Sequence, residues 1–567
     1  MTRRWASLVS CPWFVPIILG IIGTLLVLAS LGNTSSWEIL PGPGTTIDET
    51  IYVPRAKIYT STWNQFGLAF FDHKTVEIVF GTMPDHPPLG TWLLGWTHWL
   101  TDDEPNNLDV FNITGARPWS AIAYGCLIAL TGYWSSQLLD SQSGWMASLA
   151  TLLMPRIFAH AHLAALDITI TLAYLLSLWS IYLTLHPPTR TRKIVLAGLI
   201  FGLAISIKIH GWVVFVTVIP WALWNWKLRA IRPLCIWTAT GLVVFILSWP
   251  WLWPWLWDSP FIAWEHLLDY FFRTWNRASL QVWYFDQAIP DHSVPFHYPW
   301  VMFLSTVPLG LHLLGIVGVV TIGKKWFTNS DWSLVGAGFL VILTLFSIPG
   351  IVVYDGVRLF LMVFPLWSIL VGVGGKTVWD WLHNHSRFHH SRRLILVFLF
   401  CCYWLSQATG MVSLHPYQLS YYNLLVGGLH GADKLGLEVT YWGDTVNREL
   451  KHALINRASD GDQVQYRPQM YPNHTYGVVL SSPNLLQRNY RWMDDSRLSR
   501  SLFPPAQNKV IWSLIYNRKA YLQPDKQFLS DAELVYEVSR DKVWLSRLYR
   551  TVSQTKTDRT NTPAKRK

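Results

Sequence analysis

The chain has 567 residues, 51% of them hydrophobic and only 14% charged, and 35 are tryptophan. That balance excludes an ordinary soluble enzyme and fits a polytopic membrane protein whose indoles anchor at the interfaces. The formal net charge of +11 is no nucleic-acid signature, because the basic residues concentrate in short loops between apolar runs and in the C-terminal tail. All five cysteines (Cys11, Cys126, Cys235, Cys401, Cys402) lie in or beside apolar runs, so neither a disulfide framework nor a Cys-based metal site is indicated.

Apolar runs of roughly 17–25 residues read as spanning helices. About eleven occur, near residues 12–31, 117–139, 144–160, 164–185, 193–209, 211–226, 233–253, 299–322, 332–351, 358–378 and 393–412. The first follows Arg3 and Arg4, and its length and the lack of a small-x-small cleavage site make it an uncleaved anchor. With the N-terminus cytoplasmic, alternate loops carry Arg190, Arg192 and Lys193; Lys227, Arg229 and Arg232; Lys324 and Lys325; and Arg387, Arg392 and Arg393. That pattern obeys the positive-inside rule.

The opposite, non-cytoplasmic side then receives a first outer loop of about 33–116, a second of about 254–298, and everything after about 413. The first loop is acidic and contains Leu89 to Leu100, too short to span and suited to a juxtamembrane helix. The second follows Trp249-Pro-Trp-Leu-Trp-Pro-Trp-Leu-Trp257, which reads as an aromatic belt. From 413 to 550 the composition turns polar and mixed, with short alternating stretches such as Tyr476 to Ser481 and Lys509 to Tyr516, the pattern of a small extracytoplasmic α/β or α+β domain. Residues 551–567 are polar and basic and read as a disordered tail. Asn112-Ile-Thr114 and Asn473-His-Thr475 are glycosylation sequons, informative only in a eukaryotic secretory setting.

The reactive side chains gather on the non-cytoplasmic side. Asp48-Glu49 lies just beyond the first helix, where a carboxylate can accept a proton in a partly dry pocket; a solvated loop pair is the plainer reading. Asp167, in Ala164-Ala-Leu-Asp167, stands near the outer end of an apolar helix, where an ionisable residue is costly unless it is paired or functional. Lys208 and Arg358 are cations near the same face that could hold a phosphate, with snorkelling to the interface as the alternative. His86, before two prolines, and His297, in Pro295-Phe-His-Tyr298-Pro, could join a carboxylate on a divalent metal, although no ligand spacing requires one.

The order of these motifs resembles the GT-C membrane glycosyltransferases: Asp48-Glu49, then His86-Pro-Pro-Leu89, Arg117 opening the second helix, and Asp167 in the fourth. Within that superfamily the chain is most similar to family 39, the dolichyl-phosphate-mannose protein mannosyltransferase type with its bacterial aminoarabinose-transferase relatives. Tyr354-Asp-Gly-Val-Arg358 and His415-Pro-Tyr-Gln-Leu-Ser-Tyr-Tyr-Asn423 also look like pieces of bacterial members. The resemblance implies a GT-C fold of about eleven transmembrane helices over residues 1–412, in a bacterial inner membrane with the site facing the periplasm. It further implies inverting transfer of a sugar from a polyprenyl-phosphate donor to the hydroxyl of a protein, lipid or glycan acceptor. Asp48 would be the general base, Glu49 would orient acceptor or sugar, and Asp167 would be a second carboxylate. Lys208 and Arg358, aided by Arg55 and Arg117, would neutralise the departing phosphate, with His86, His297, Tyr298, Tyr354 and His415 in support. No cofactor is required on this reading, and some relatives hold a metal. The rival readings are a polyprenyl-linked sugar transporter or flippase, disfavoured by the one-sided placement of the polar residues and the lack of an internal repeat, and a non-catalytic scaffold, which leaves the intramembrane charges unexplained.

Overall fold

The computed structural model describes residues 11–31, 40–81, 85–101, 112–185, 190–384, 390–471, 474–493, 510–522 and 532–552. A helix, or a broken pair of helices, stands at each of the eleven expected apolar segments, from Phe14–Leu28 to His390–Ser406. Among the described residues three helical stretches are long and apolar enough to cross a membrane, Asp167–Thr184, Ile209–Ser248 and Leu394–Ser413, and a fourth is counted if a bent pair forms one span. Eleven helical segments are therefore present without eleven established crossings. The bent pair is Tyr298–Thr306 with Leu309–Ile322, turned through 112° at Pro308. Carbonyls freed by such a break need donors; Asn423 Nδ2 donates to Leu304 O and Val307 O, both at 2.6 Å.

Small residues let the helices touch backbone to backbone, as packing within lipid favours. Phe14–Leu28 lies so close to Pro118–Leu138 that a Cβ built on Gly20 would stand 2.4 Å from Gly125 O. Large apolar side chains such as Ile21, Leu25, Val320 and Phe398 point outward, the arrangement of a bundle whose solvent is hydrocarbon. The tryptophan run is only partly a belt. It forms two short 3-10 turns, Pro250–Leu252 and Pro254–Leu256; Trp249 is buried against Tyr270, whereas Trp255 is half exposed. The amphipathic helix Pro260–Asn276 follows.

A small hairpin, β1 (Gln281–Tyr284) with β2 (Gln287–Pro290), precedes the bent pair. The C-terminal sheet has five strands: β3 (Gln463–Arg467), β4 (Arg491–Trp492), β5 (Val510–Tyr516), β6 (Glu533–Arg540) and β7 (Val543–Val552). Their order is β4-β3-β5-β7-β6. The pairs β3/β4 and β3/β5 are parallel, and β7 runs antiparallel to both β5 and β6. Two expectations change here. The stretch expected to alternate from Tyr476 to Ser481 lies largely in the helix His474–Leu480, because a short apolar run fits either period and here it packs as a helix on Thr50, which a Cβ on Gly477 would meet. Residues 413–447 belong to no strand and instead clasp the apolar helices, as where Arg156 Nε donates to Tyr421 O at 3.1 Å. The expected tail of 551–567 starts two residues late, since Thr551 and Val552 pair within β7; residues 553–567 lie outside the described residues, as do Asp102, Asp103, Glu104 and Asp109 of the first loop.

Candidate active site

Asp48 is the residue before the helix Glu49–Phe66. Spacing along that helix puts Asp48, Ile51, Tyr52 and Arg55 on one face, and all four border a cavity of about 320 Å³. The chain enters the helix pinned to the C-terminal region: Gly44 N donates to Asp444 O (2.6 Å) and Ile47 N to Trp442 O (3.1 Å). His86 and Asp85 reach the cavity from a loop tied down where Leu89 N donates to Ser206 O (3.1 Å), two residues before Lys208.

Five charges form the centre. Arg358 is ion-paired with Asp48, lies 3.4 Å from Asp167 Oδ2 through Nε and 3.2 Å from Asp355 Oδ2 through Nη1. Lys208 Nζ donates to Asp167 Oδ1 at 2.7 Å. Asp167 opens the helix Asp167–Thr184, where the positive end of the helix dipole favours a carboxylate. The Arg358 guanidinium also lies over the Trp442 ring, 4.5 Å from its centroid. Burial pushes the Asp48 carboxyl above the usual aspartate range; the Arg358 charge pulls the other way and Asp167 adds to the rise. For His86, burial and the neighbouring Lys208 and Arg55 charges push the imidazole well below its ordinary value, so it is neutral. Arg55 is buried, its guanidinium makes no hydrogen bond among the described residues, and its ion-pair contact is Asp85 at 3.5 Å. A buried guanidinium so poorly satisfied is an open donor set.

Not every expected site residue arrives here. Glu49, next to Asp48, turns away from the cavity and is fully buried. Arg117 grips it through Nε to Oε1 (2.7 Å) and Nη2 to Oε2 (2.9 Å). Thr46 adds N and Oγ1 donors to Oε2 (2.9 and 3.0 Å), and Ala164 N donates to Oε1 (2.8 Å). Arg117 spends its remaining N–H groups on the carbonyls of Leu31, Pro43 and Gly44. With every lone pair and donor satisfied internally, neither residue faces the space a substrate would fill. Tyr298 is buried and accepts a hydrogen bond from Gly356 N at 3.1 Å; it shapes the turn carrying Arg358, in which Asp355 and Gly356 both take left-handed φ (57° and 65°). His297 Nδ1 bonds the Tyr284 hydroxyl at 2.8 Å, and His415 Nδ1 bonds Gln418 at 2.9 Å; neither lines the cavity. Tyr354 does line it. Among the described residues no three His, Cys, Asp or Glu side chains converge as metal ligands.

The structure adds residues that the sequence did not single out. Asp355 receives Trp442 Nε1 and Arg518 Nη2, both at 2.9 Å, besides Arg358. Arg277 lies over the Tyr354 ring at 4.4 Å. Met470 and Tyr471 follow β3 and Arg518 follows β5, so the carboxyl ends of two parallel strands open onto the cavity, the edge at which sheets of this kind present functional loops. Asp355 had a local signal, an acid three residues before Arg358 on a tight turn; Trp442 and Arg518 come from residues far along the chain and had none.

Residues 85–255 match the family model described as dolichyl-phosphate-mannose-protein mannosyltransferase. The matched segment is under a third of the chain. It carries Asp85, His86 and Lys208 of the cavity, and Asp167, which pairs with Lys208. No curated protein sequence matches the chain. Among solved structures, the chain is similar to ArnT from Cupriavidus metallidurans in the apo state (13% identity, 94% of this chain and 98% of that chain covered, TM-score 0.48). It is also similar to the archaeal oligosaccharyltransferase AglB from Archaeoglobus fulgidus in complex with an inhibitory peptide and a dolichol-phosphate (10% identity, 88% and 69% covered, TM-score 0.46).

Proposed function

We propose that the protein transfers a sugar from a polyprenyl-phosphate donor to an acceptor hydroxyl with inversion, on the periplasmic face of a bacterial inner membrane. The observation that carries this reading is the cavity itself, in which a buried carboxylate, Asp48, shares the lining with five cations, Arg55, Lys208, Arg277, Arg358 and Arg518. The match of residues 85–255 to a family described by a lipid-phosphate sugar supports the donor class.

In the reaction Asp48 takes the proton of the acceptor hydroxyl, the oxygen attacks the anomeric carbon, and the carbon–oxygen bond to the lipid phosphate breaks with its electron pair leaving on phosphate. Lys208, Arg358 and Arg55 stabilise that departing charge. Arg358 has a double role because it is paired with Asp48 in the free protein. An incoming phosphate competes for its guanidinium, and as the pairing loosens Asp48 loses the charge that depresses its proton affinity. Donor binding thereby makes the base stronger. Asp167 holds Lys208 and Arg358 in register.

The test is an assay of the full chain in nanodiscs with radiolabelled polyprenyl-phosphate sugars and a membrane extract as acceptor source. Label moving to acceptor with the wild type, and not with Asp48→Asn, is the expected result. Saturable donor binding with movement of the intact donor across a sealed bilayer, and no transfer, would replace the transferase by the transporter.

A further inference from the structure

A second polar hollow, of about 70 Å³, opens on the other side of the segment that carries Asp48. Gly44 and Thr45 line this hollow, whereas Ile47 and Asp48 line the reaction cavity. Its far wall is the helix Arg448–Ile455, whose first turn is capped by Asn447 Oδ1 accepting from Glu449 N at 3.1 Å. Helical spacing places Arg448, Lys451, His452 and Ile455 on one face, and all four border the hollow.

Arg117, which touches the rim of the hollow, is matched by Glu49. Lys451 has no such match: Nζ donates to Ser482 Oγ at 2.6 Å, and no carboxylate lies within ion-pairing distance of it among the described residues. Burial, with Arg117 adding to it, pushes the Lys451 ammonium down to about 8. Arg448, exposed at the mouth, points Nε toward His452 Nε2 at 3.3 Å. Thr45 and Ser481 pair their hydroxyls at 3.1 Å on the same wall. A partly desolvated ammonium beside a guanidinium is the donor chemistry that phosphate and carboxylate groups match. The volume suits one such group, being room for several waters.

We propose that this hollow is an anion-binding subsite that seats a phosphate or carboxylate group between Lys451, which Ser482 Oγ holds in place, and Arg448. The assignment stands apart from the transferase reading, since none of these three residues lines the reaction cavity. It places a negative group of a bound molecule on the seam between the apolar helices and the C-terminal sheet.

The experiment reads the rate at which Lys451 is acetylated by acetic anhydride, near the pH at which it titrates, in the full chain held in nanodiscs of zwitterionic lipid. Inorganic phosphate is added against sodium chloride of equal ionic strength, and the modified peptides are quantified by mass spectrometry. Phosphate is expected to slow acetylation of Lys451 several-fold while leaving Lys565 and Lys567 unaffected, and Arg448→Ala and Ser482→Ala are expected to abolish the protection. A second arm uses nanodiscs containing phosphatidic acid in phosphate-free buffer. Protection in that arm alone assigns the site to a lipid-borne group, and protection in both assigns it to any accessible phosphate. Protection in neither arm, or equal protection of the two tail lysines, overturns the proposal. The wild-type measurement decides the matter even if a variant fails to fold, and a thermal melt of each variant identifies that case.

Discussion

Asp48 and Glu49 are neighbours in the chain and opposites in the molecule. Glu49 receives five donated hydrogen bonds, from Thr46, Ala164 and Arg117, and its surroundings are closed. Asp48 is held by Arg358, at the edge of a cavity lined by four further cations, Arg55, Lys208, Arg277 and Arg518. A fully satisfied buried pair fixes geometry, and removing one partner leaves an uncompensated charge. A carboxylate whose partner can be drawn off by a second anion is a candidate for chemistry. The number of competing partners, more than burial or residue type, separates the two acids here.

The largest way to break the contrast is at Asp48. Asp48→Asn is expected to cut the transfer rate by about 10²–10⁴-fold, the usual worth of a general base, with donor binding no weaker than in the wild type, since Arg358 is then free of its competitor; a variant of normal rate would remove the base. At Glu49 the effect should fall on folding. Glu49→Ala is expected to cost about 3–5 kcal/mol of stability, the scale for orphaning one member of a buried pair, visible as a fall in melting temperature. If that variant instead melted like the wild type and only turned over slowly, the division of labour argued above would be wrong.

Smaller effects sharpen the comparison. Loss of the phosphate contact in Arg358→Gln is expected to remove about 1.5–3 kcal/mol, or roughly ten- to a hundredfold in donor KM, the range for hydrogen bonds to a charged group. The pH dependence gives an independent sign. Because the Asp48 pKa is raised in the free protein, the base is lost as pH falls through a value above the ordinary aspartate one, near 3.9. The acid limb of kcat/KM should therefore lie above that value, and the limb of kcat, which reports the donor-bound state, at higher pH still. An acid limb of kcat below that of kcat/KM would contradict the release of Arg358 by donor. Arg518→Gln should be milder, a few-fold change in KM with kcat retained, since Arg518 acts on Arg358 through Asp355.

Much of this was legible in the chain because lipid imposes a harsh rule. A charge in an apolar helix is conspicuous, and Asp167, Lys208 and Arg358 announced themselves by that contrast. The helical positions followed from run length, whereas the number that cross did not, since several helices fall short of the span length. Adjacency misled at Glu49: a dipeptide shows two carboxylates and not their directions, which a helix start sends to different faces. Arg117 was grouped with the phosphate ligands for the same reason, its partner being 68 positions away. Trp442, Tyr471 and Arg518 gave no sign because ordinary-looking polar loops carry them, and for Tyr471 and Arg518 it is the pairing of β3 with β5 that brings the loops together at the cavity. The histidines His297 and His415 looked reactive by type and prove to be hydrogen-bonded elsewhere.

The walls of the cavity are drawn from distant parts of the chain, Asp48 and Arg518 among them. During synthesis Asp48 leaves the ribosome long before the residues that enclose it. The growing chain therefore passes through much of its translation with an open half-cavity, Asp355 still to meet Arg518 and Arg358 still to meet Trp442. Until then there is no closed chamber and no complete set of charges. Formation of the C-terminal sheet is thus the event that closes the cavity.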